Sequence, residues 1–179
     1  MAKVLVFLAE GFEEIEAVTP IDILRRAGAD VCTVGVGGKL IKGAHGIAVE
    51  ADVAIGDEIS DFDMLILPGG MPGTDNLEKN ETVISLVKKA YSEGKYIGAI
   101  CAAPKILGAL GMLEGKAATS FPEFQSFLKG AKVTQEPVVF DGNIITAKGA
   151  GAAAKFAFAL VTALFGEKAA AELSAKMHY

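Results

Sequence analysis

Residues 95–110 read KYIGAICAAPKILGAL. Tyr96, Ile97, Ala99 and Ile100 make a short buried strand, Cys101 follows at its end, and a helical run begins after small residues. Strand, sharp turn carrying a nucleophile, and helix are the parts of a nucleophile elbow. Gly98, Ala99, Ala102 and Ala103 keep the turn uncrowded, and Pro104 fits the first helical turn, where its missing N–H costs least. Unpaired N–H groups at the helix start would stabilise a thiolate, so this reading expects Cys101 to be more acidic than a free cysteine. The same pattern also fits a cysteine simply buried in an apolar strand, a common place for that residue.

On the amino-terminal side, Asp63–Leu67 is a continuous apolar strand that runs into Pro68-Gly69-Gly70, and Glu81–Tyr91 has helical spacing closed by Gly94. Earlier still, Lys3–Ala9 reads as a strand, Glu13–Ala27 as a helix that Pro20 should kink or whose regular part it should begin, and Val31–Val36 as a second strand. Strand, helix, strand so early argues for a parallel sheet with right-handed crossovers. Residues 37–52 alternate as a hairpin does. On the carboxyl-terminal side, Ala117–Ser120, Val133-Thr134, Val138–Phe140 and Ile144–Ala147 read as short strands, with a helix-like segment ending at Leu128 and a turn at Asp141-Gly142. Ala152–Phe165 and Glu167–Lys176 read as closing helices. The pattern predicts a three-layer α/β sandwich in one domain over residues 1–179, with ligands at the carboxyl ends of the strands. Glu10–Glu16, Pro68–Pro72 and Cys101 all follow such ends, and that convergence favours a functional cysteine.

Composition narrows the function. The chain has 179 residues, 51% of them apolar, with 21 glycines and a net charge of −5. That charge, with only the small basic pairs Arg25-Arg26 and Lys88-Lys89, argues against a nucleic-acid surface. Cys32 and Cys101 have no paired spacing, so they read as reduced thiols in the cytoplasm. The apolar run at the amino terminus is too short for a membrane span.

Of the acids Glu10, Glu13, Glu14 and Glu16, any one beside the thiol could shuttle a proton, although acids at a helix start are commonly dipole partners. Like-charge contact with a thiolate would tend to keep such a carboxyl protonated. Gly69 and Gly70 can offer N–H donors to an oxyanion together with Ala102, or can merely form a positive-φ turn. His45 reads as a loop histidine. Gly149-Ala150-Gly151 mimics a dinucleotide fingerprint too late in the chain, and reads as a helix start or packing turn. No ligand spacing suggests a metal, and no cofactor is expected.

The segments AEGFEEIEAVTPIDILRRAG, LPGGMPGTDNL, AICAAPKIL, TSFPEF and the KGAG-plus-helix ending occur in one order over essentially the whole chain. Together they resemble the ThiJ/PfpI superfamily, in its DJ-one/YajL branch. The resemblance implies a flavodoxin-like, doubly wound, mostly parallel sheet in that sandwich, a homodimer with the first helix near the interface, Cys101 as the reactive thiol and Glu16 as its partner acid. It places Glu13 near the pocket and Gly69, Gly70 and Ala102 around the oxyanion. Protease-like members carry histidine directly after the nucleophile, where this chain has Ala102, which argues against a peptidase. Some relatives have a histidine beside the thiol where Phe121 stands in TSFP, so the chemistry rests on Cys101 and Glu16. The implied activity is of the glyoxalase III or protein-deglycase type, on methylglyoxal-like dicarbonyls or their early adducts, in stress protection. The rival reading is a redox sensor or stress chaperone using the same cysteine; a thiamine-pathway role has no support in these residues.

Overall fold

The computed structural model describes residues 1–57, 59 and 61–179. Lys3–Ala9 forms β1, whose buried side chains divide by parity: Val4, Val6 and Leu8 join one apolar cluster, and Leu5, Phe7 and Ala9 the other. The two-residue repeat of a strand causes that division, and burial on both faces explains the unbroken apolar run. The chain continues through α1 (Glu14–Arg26), β2 (Asp30–Val36), an antiparallel ribbon of β3 (Leu40–Lys42) and β4 (Ala48–Glu50), β5 (Val53–Ala54) and β6 (Met64–Leu67). Next come α2 (Gly73–Lys79), α3 (Glu81–Ser92), β7 (Tyr96–Ile100) and α4 (Pro104–Ala109). Short strands β8 (Ala117–Ala118) and β9 (Lys132–Val133) precede the hairpin of β10 (Val138–Asp141) and β11 (Ile144–Ala147), then α5 (Ala153–Phe165) and α6 (Glu167–Lys176).

Seven strands form one sheet in the order β10-β11-β7-β6-β1-β2-β5, parallel except for β10. Side chains of α1, α5 and α6 pack on one face, and those of α2, α3 and α4 on the other. Fully buried side chains such as Phe7, Leu8 and Phe156 each contribute about 1.5–3 kcal/mol. The protein is therefore the doubly wound α/β sandwich that the sequence predicts. From β1 the chain first moves to β2 and later returns as β6 on β1's other side. That reversal opens a crevice beyond the carboxyl ends of β1, β6 and β7. Among the described residues no helix is long and apolar enough to cross a membrane.

Three elements differ from the sequence expectation. Helix α1 runs unbroken past Pro20, which lies on its buried side; packing outweighs the one N–H that proline removes. Helix α2 has no apolar repeat to announce it, only Leu77 and small buried residues behind Pro72. The segment Pro122–Phe127 is a 3-10 helix with no buried residue, so it has no apolar face to extend it.

Candidate active site

Cys101 stands one residue beyond β7 with φ of 63°, a conformation that L-residues rarely adopt outside strained turns. Its own N–H donates to Ala147 O at 2.9 Å, and its carbonyl accepts the Phe121 N–H at 2.9 Å. These two bonds hold the elbow against β11 and bring Phe121 alongside the thiol. The backbone N–H groups of Gly70 and Ala102 point at the sulfur.

Glu16 reaches the same point from the first turn of α1. It is 1% exposed, hydrogen-bonds the Cys101 thiol, and accepts the Gly69 N–H on Oε2 at 3.0 Å. Gly69 makes this approach possible, because a Cβ there would lie 2.5 Å from both Cys101 Cβ and Glu16 Oε2. Its N–H is committed to the acid, however, and so departs from the expected oxyanion role; Gly70 and Ala102 face the sulfur instead.

The expectation of an acidified thiol is corrected. Burial, then the charge and hydrogen bond of Glu16, push Cys101 up to about 12, outweighing the pull of the Gly70 and Ala102 N–H groups. The helix behind the elbow has only six residues. Burial also raises Glu16, to about 7, with Glu13's charge adding to it and the bonds from Cys101 and Gly69 opposing. The two groups titrate as a pair: the first proton leaves near neutrality, and like-charge repulsion retains the second. Once Glu16 holds that proton, both of its effects against the thiolate vanish. The pair's single charge can then sit on sulfur, with the Glu16 O–H donating to it.

Glu13 lies at the entrance to α1, and its backbone N–H donates to Gly69 O at 2.9 Å. Its carboxylate is 3.5 Å from His45 Nδ1 and so faces the β3–β4 turn, away from any hydrogen bond to the sulfur. His45 is on that turn with its side chain 69% exposed, 3.0 Å from Glu14 Oε2. Glu14 was among the candidate acids, but its burial against the β3–β4 turn was not foreseen. Burial alone would raise its pKa, but the His45 ring and the N–H groups of His45 (2.7 Å) and Ile47 (3.3 Å) hold it below its usual value. A signal was present: Glu14, Ala17, Ile21 and Leu24 lie on one helical stripe, and an acid on an apolar stripe needs partners. Fold proximity also brings donor atoms of Glu13, Glu14 and His45 within 4.8 Å of one another, a grouping of metal-ligand type that spacing did not reveal. Both Glu14 oxygens there already accept hydrogen bonds. Gly149 was likewise missed as a site residue. A Cβ on it would lie 3.4 Å from the Phe121 ring, 3.7 Å from Glu16 Oε1 and 3.9 Å from Cys101 Sγ.

The chain and its fold are similar to those of known proteins. Residues 2–163 match the family model described as the DJ-1/PfpI family. Protein DJ-1 homolog A of Arabidopsis thaliana is 41% identical over 96% of the chain, and the chain spans 45% of that relative, under half the length of the Arabidopsis proteins it matches. A deglycase of Pyrococcus abyssi is 34% identical, over 82% of this chain and 89% of its own length. The solved structure of oxidized Toxoplasma gondii DJ-1 superposes with a TM-score of 0.96 at 34% identity, covering 100% of this chain and 99% of the other.

Proposed function

The chain belongs to the DJ-1/PfpI family, and from that premise we propose that it is a cofactor-independent, cysteine-dependent enzyme of the glyoxalase or deglycase type. Its substrates are methylglyoxal-like dicarbonyls or their early adducts on amines and thiols. The observation that carries this reading is the hydrogen-bonded pair of Cys101, held at φ of 63°, and buried Glu16. The deglycase name of the Pyrococcus relative supports it.

In the proposed reaction the Cys101 thiolate sulfur bonds to the aldehyde carbon, and the carbonyl oxygen takes the proton that Glu16 holds, giving a hemithioacetal and leaving Glu16 as the carboxylate. Glu16 removes the proton from that carbon and returns one to the neighbouring carbon through an enediol, leaving a thioester. The aldehyde carbon is oxidised and the ketone carbon reduced, so no external oxidant is needed. Water then cleaves the carbon–sulfur bond, releasing the hydroxy acid and the thiol. The N–H groups of Gly70 and Ala102 stabilise negative charge at the sulfur side of the site. A reducing compartment such as the cytoplasm suits the two free cysteines. Lactate formation from methylglyoxal tests the reading: wild type and Cys32→Ser should be active and Cys101→Ser inactive. Activity retained by Cys101→Ser would exclude this mechanism.

A second reading is redox sensing at the same thiol, supported by the oxidised state of the Toxoplasma relative. Two equivalents of hydrogen peroxide would each deliver one oxygen to sulfur and leave as water, and a protonated Glu16 would donate to the sulfinate. Mass spectrometry should then show two added oxygens on Cys101 and none on Cys32, whose thiol pKa is pushed up by burial and by the nearby Asp52 and Asp30. Equal oxidation of both would count against it. We also propose a homodimer. Ile15 and Val18 of α1 and Ile47 beyond the β3–β4 turn are large apolar side chains exposed near one another, a surface that a second copy would cover.

A further inference from the structure

Beside the Cys101–Glu16 pair lies an open groove of about 430 Å³, lined by Phe121, Pro122, Pro137 and the stretch 148–152. Its volume falls within the range of about 300–1,000 Å³ typical of small-molecule sites. The walls are largely hydrocarbon, with Lys148 the only charged residue on them among the described residues. Its floor is fixed, since the Lys148 N–H donates to Pro137 O at 3.0 Å and the Phe121 N–H to Cys101 O at 2.9 Å. Phe121 is 41% exposed, so its ring is open to a further contact.

Gly149 is the wall that groove and thiol share. A methyl group there would stand in ordinary contact with the Phe121 ring at 3.4 Å and the Cys101 sulfur at 3.9 Å. Its absence leaves a passage between them. Elsewhere around the sulfur, the Glu16 carboxyl and the N–H groups of Gly70 and Ala102 present polar atoms. When the aldehyde carbon of an α-oxoaldehyde bonds to sulfur, the polar end belongs with those groups. Its apolar substituent then has the Gly149 passage and the groove beyond.

We propose that this groove receives the substituent of the substrate, and that the protein prefers α-oxoaldehydes bearing an aryl group over methylglyoxal. The assignment rests on the dicarbonyl reading of the Cys101–Glu16 site and adds its substrate class. A methyl substituent reaches little of the groove, whereas a phenyl ring removes apolar area from water and meets the Phe121 ring in the offset or edge-on geometry aromatic pairs adopt. Phenylglyoxal passes through the same balanced steps to mandelate, consuming one water and regenerating the thiol.

The test compares kcat/KM for phenylglyoxal and methylglyoxal in wild type, Gly149→Ala, Ala150→Trp and Cys101→Ser. Gly149 has extended backbone (φ 160°, ψ −168°), so alanine is accommodated there without strain, and Ala150 is exposed, so tryptophan fills the groove without entering the core. Wild type should favour phenylglyoxal by about tenfold or more, and both groove variants should bring the ratio to about one. Cys101→Ser should turn over neither. A wild-type ratio of one or less, or a preference unchanged in both groove variants, overturns the groove assignment while leaving the dicarbonyl reading in place. Turnover of neither substrate by folded wild type overturns that reading, and the substrate class with it.

Discussion

At the scale of the residue, Glu16 sets the behaviour of the site. Burial moves it from 4.5 to about 7, so over that interval the folded protein keeps a proton that the unfolded chain has lost. Its contribution to stability is therefore full below 4.5 and is lost as pH rises through about 7. The loss is on the order of 3 kcal/mol. Glu16→Gln cannot titrate, so urea unfolding should show its stability gaining on wild type as pH rises across that window; a difference independent of pH would contradict a raised Glu16. The elbow cysteine and the run of acids were legible in the sequence, but spacing left four acids open, and only the family resemblance pointed to Glu16 as the one beside Cys101. The ionisation of Cys101 was not legible. It depends on desolvation and on Glu16, which is 85 positions away in the chain and meets the thiol only through the fold. The N–H of Gly69 was misassigned for the same reason, its acceptor being Glu16.

At the scale of the element, two glycines test how the crevice is built. A Cβ at Gly98 would meet the flexible end of Leu160 at 2.9 Å and the Phe156 ring at 3.0 Å, where β7 passes under α5. A Cβ at Gly70 would run into the Glu13 backbone nitrogen and would also sit at φ +86°. Gly98→Ala should cost about 1 kcal/mol and Gly70→Ala about 3 kcal/mol in urea unfolding. The reverse order would mean that the Gly70 turn is not held against α1. Strands β1, β6 and β7 were readable because full burial leaves continuous apolar runs, and α3, α5 and α6 because their spacing holds for ten residues or more. Helix α2 was not readable, since Gly73–Lys79 is stabilised by what it packs on and carries little helical signal of its own. Pro20 misled for the opposite reason: a strong local breaker sits in a helix whose tertiary packing overrides it.

At the scale of the molecule, the order of seven strands places three loops from distant parts of the chain over one crevice, and the sheet holds them there. Parallel strands with helical crossovers were foreseeable from the alternation of strand and helix patterns, whereas the groove at Gly149 was not, because it forms between loops. The exposed apolar face of α1 leads to a further prediction. Wild type should sediment as a dimer, and Ile15→Asp with Ile47→Asp should shift it to monomer; a monomeric wild type would remove the proposed interface. The chemistry itself turns on whether Glu16 moves the proton while Cys101 makes the bond. The most direct measurement is lactate formation by Glu16→Gln, made beside the rate at which iodoacetamide alkylates Cys101 in the same preparation. Loss of the Glu16 charge should leave the thiol at least as reactive toward alkylation, while turnover falls by about a hundredfold or more. Turnover close to wild type with a reactive thiol would show that Glu16 is not the proton carrier.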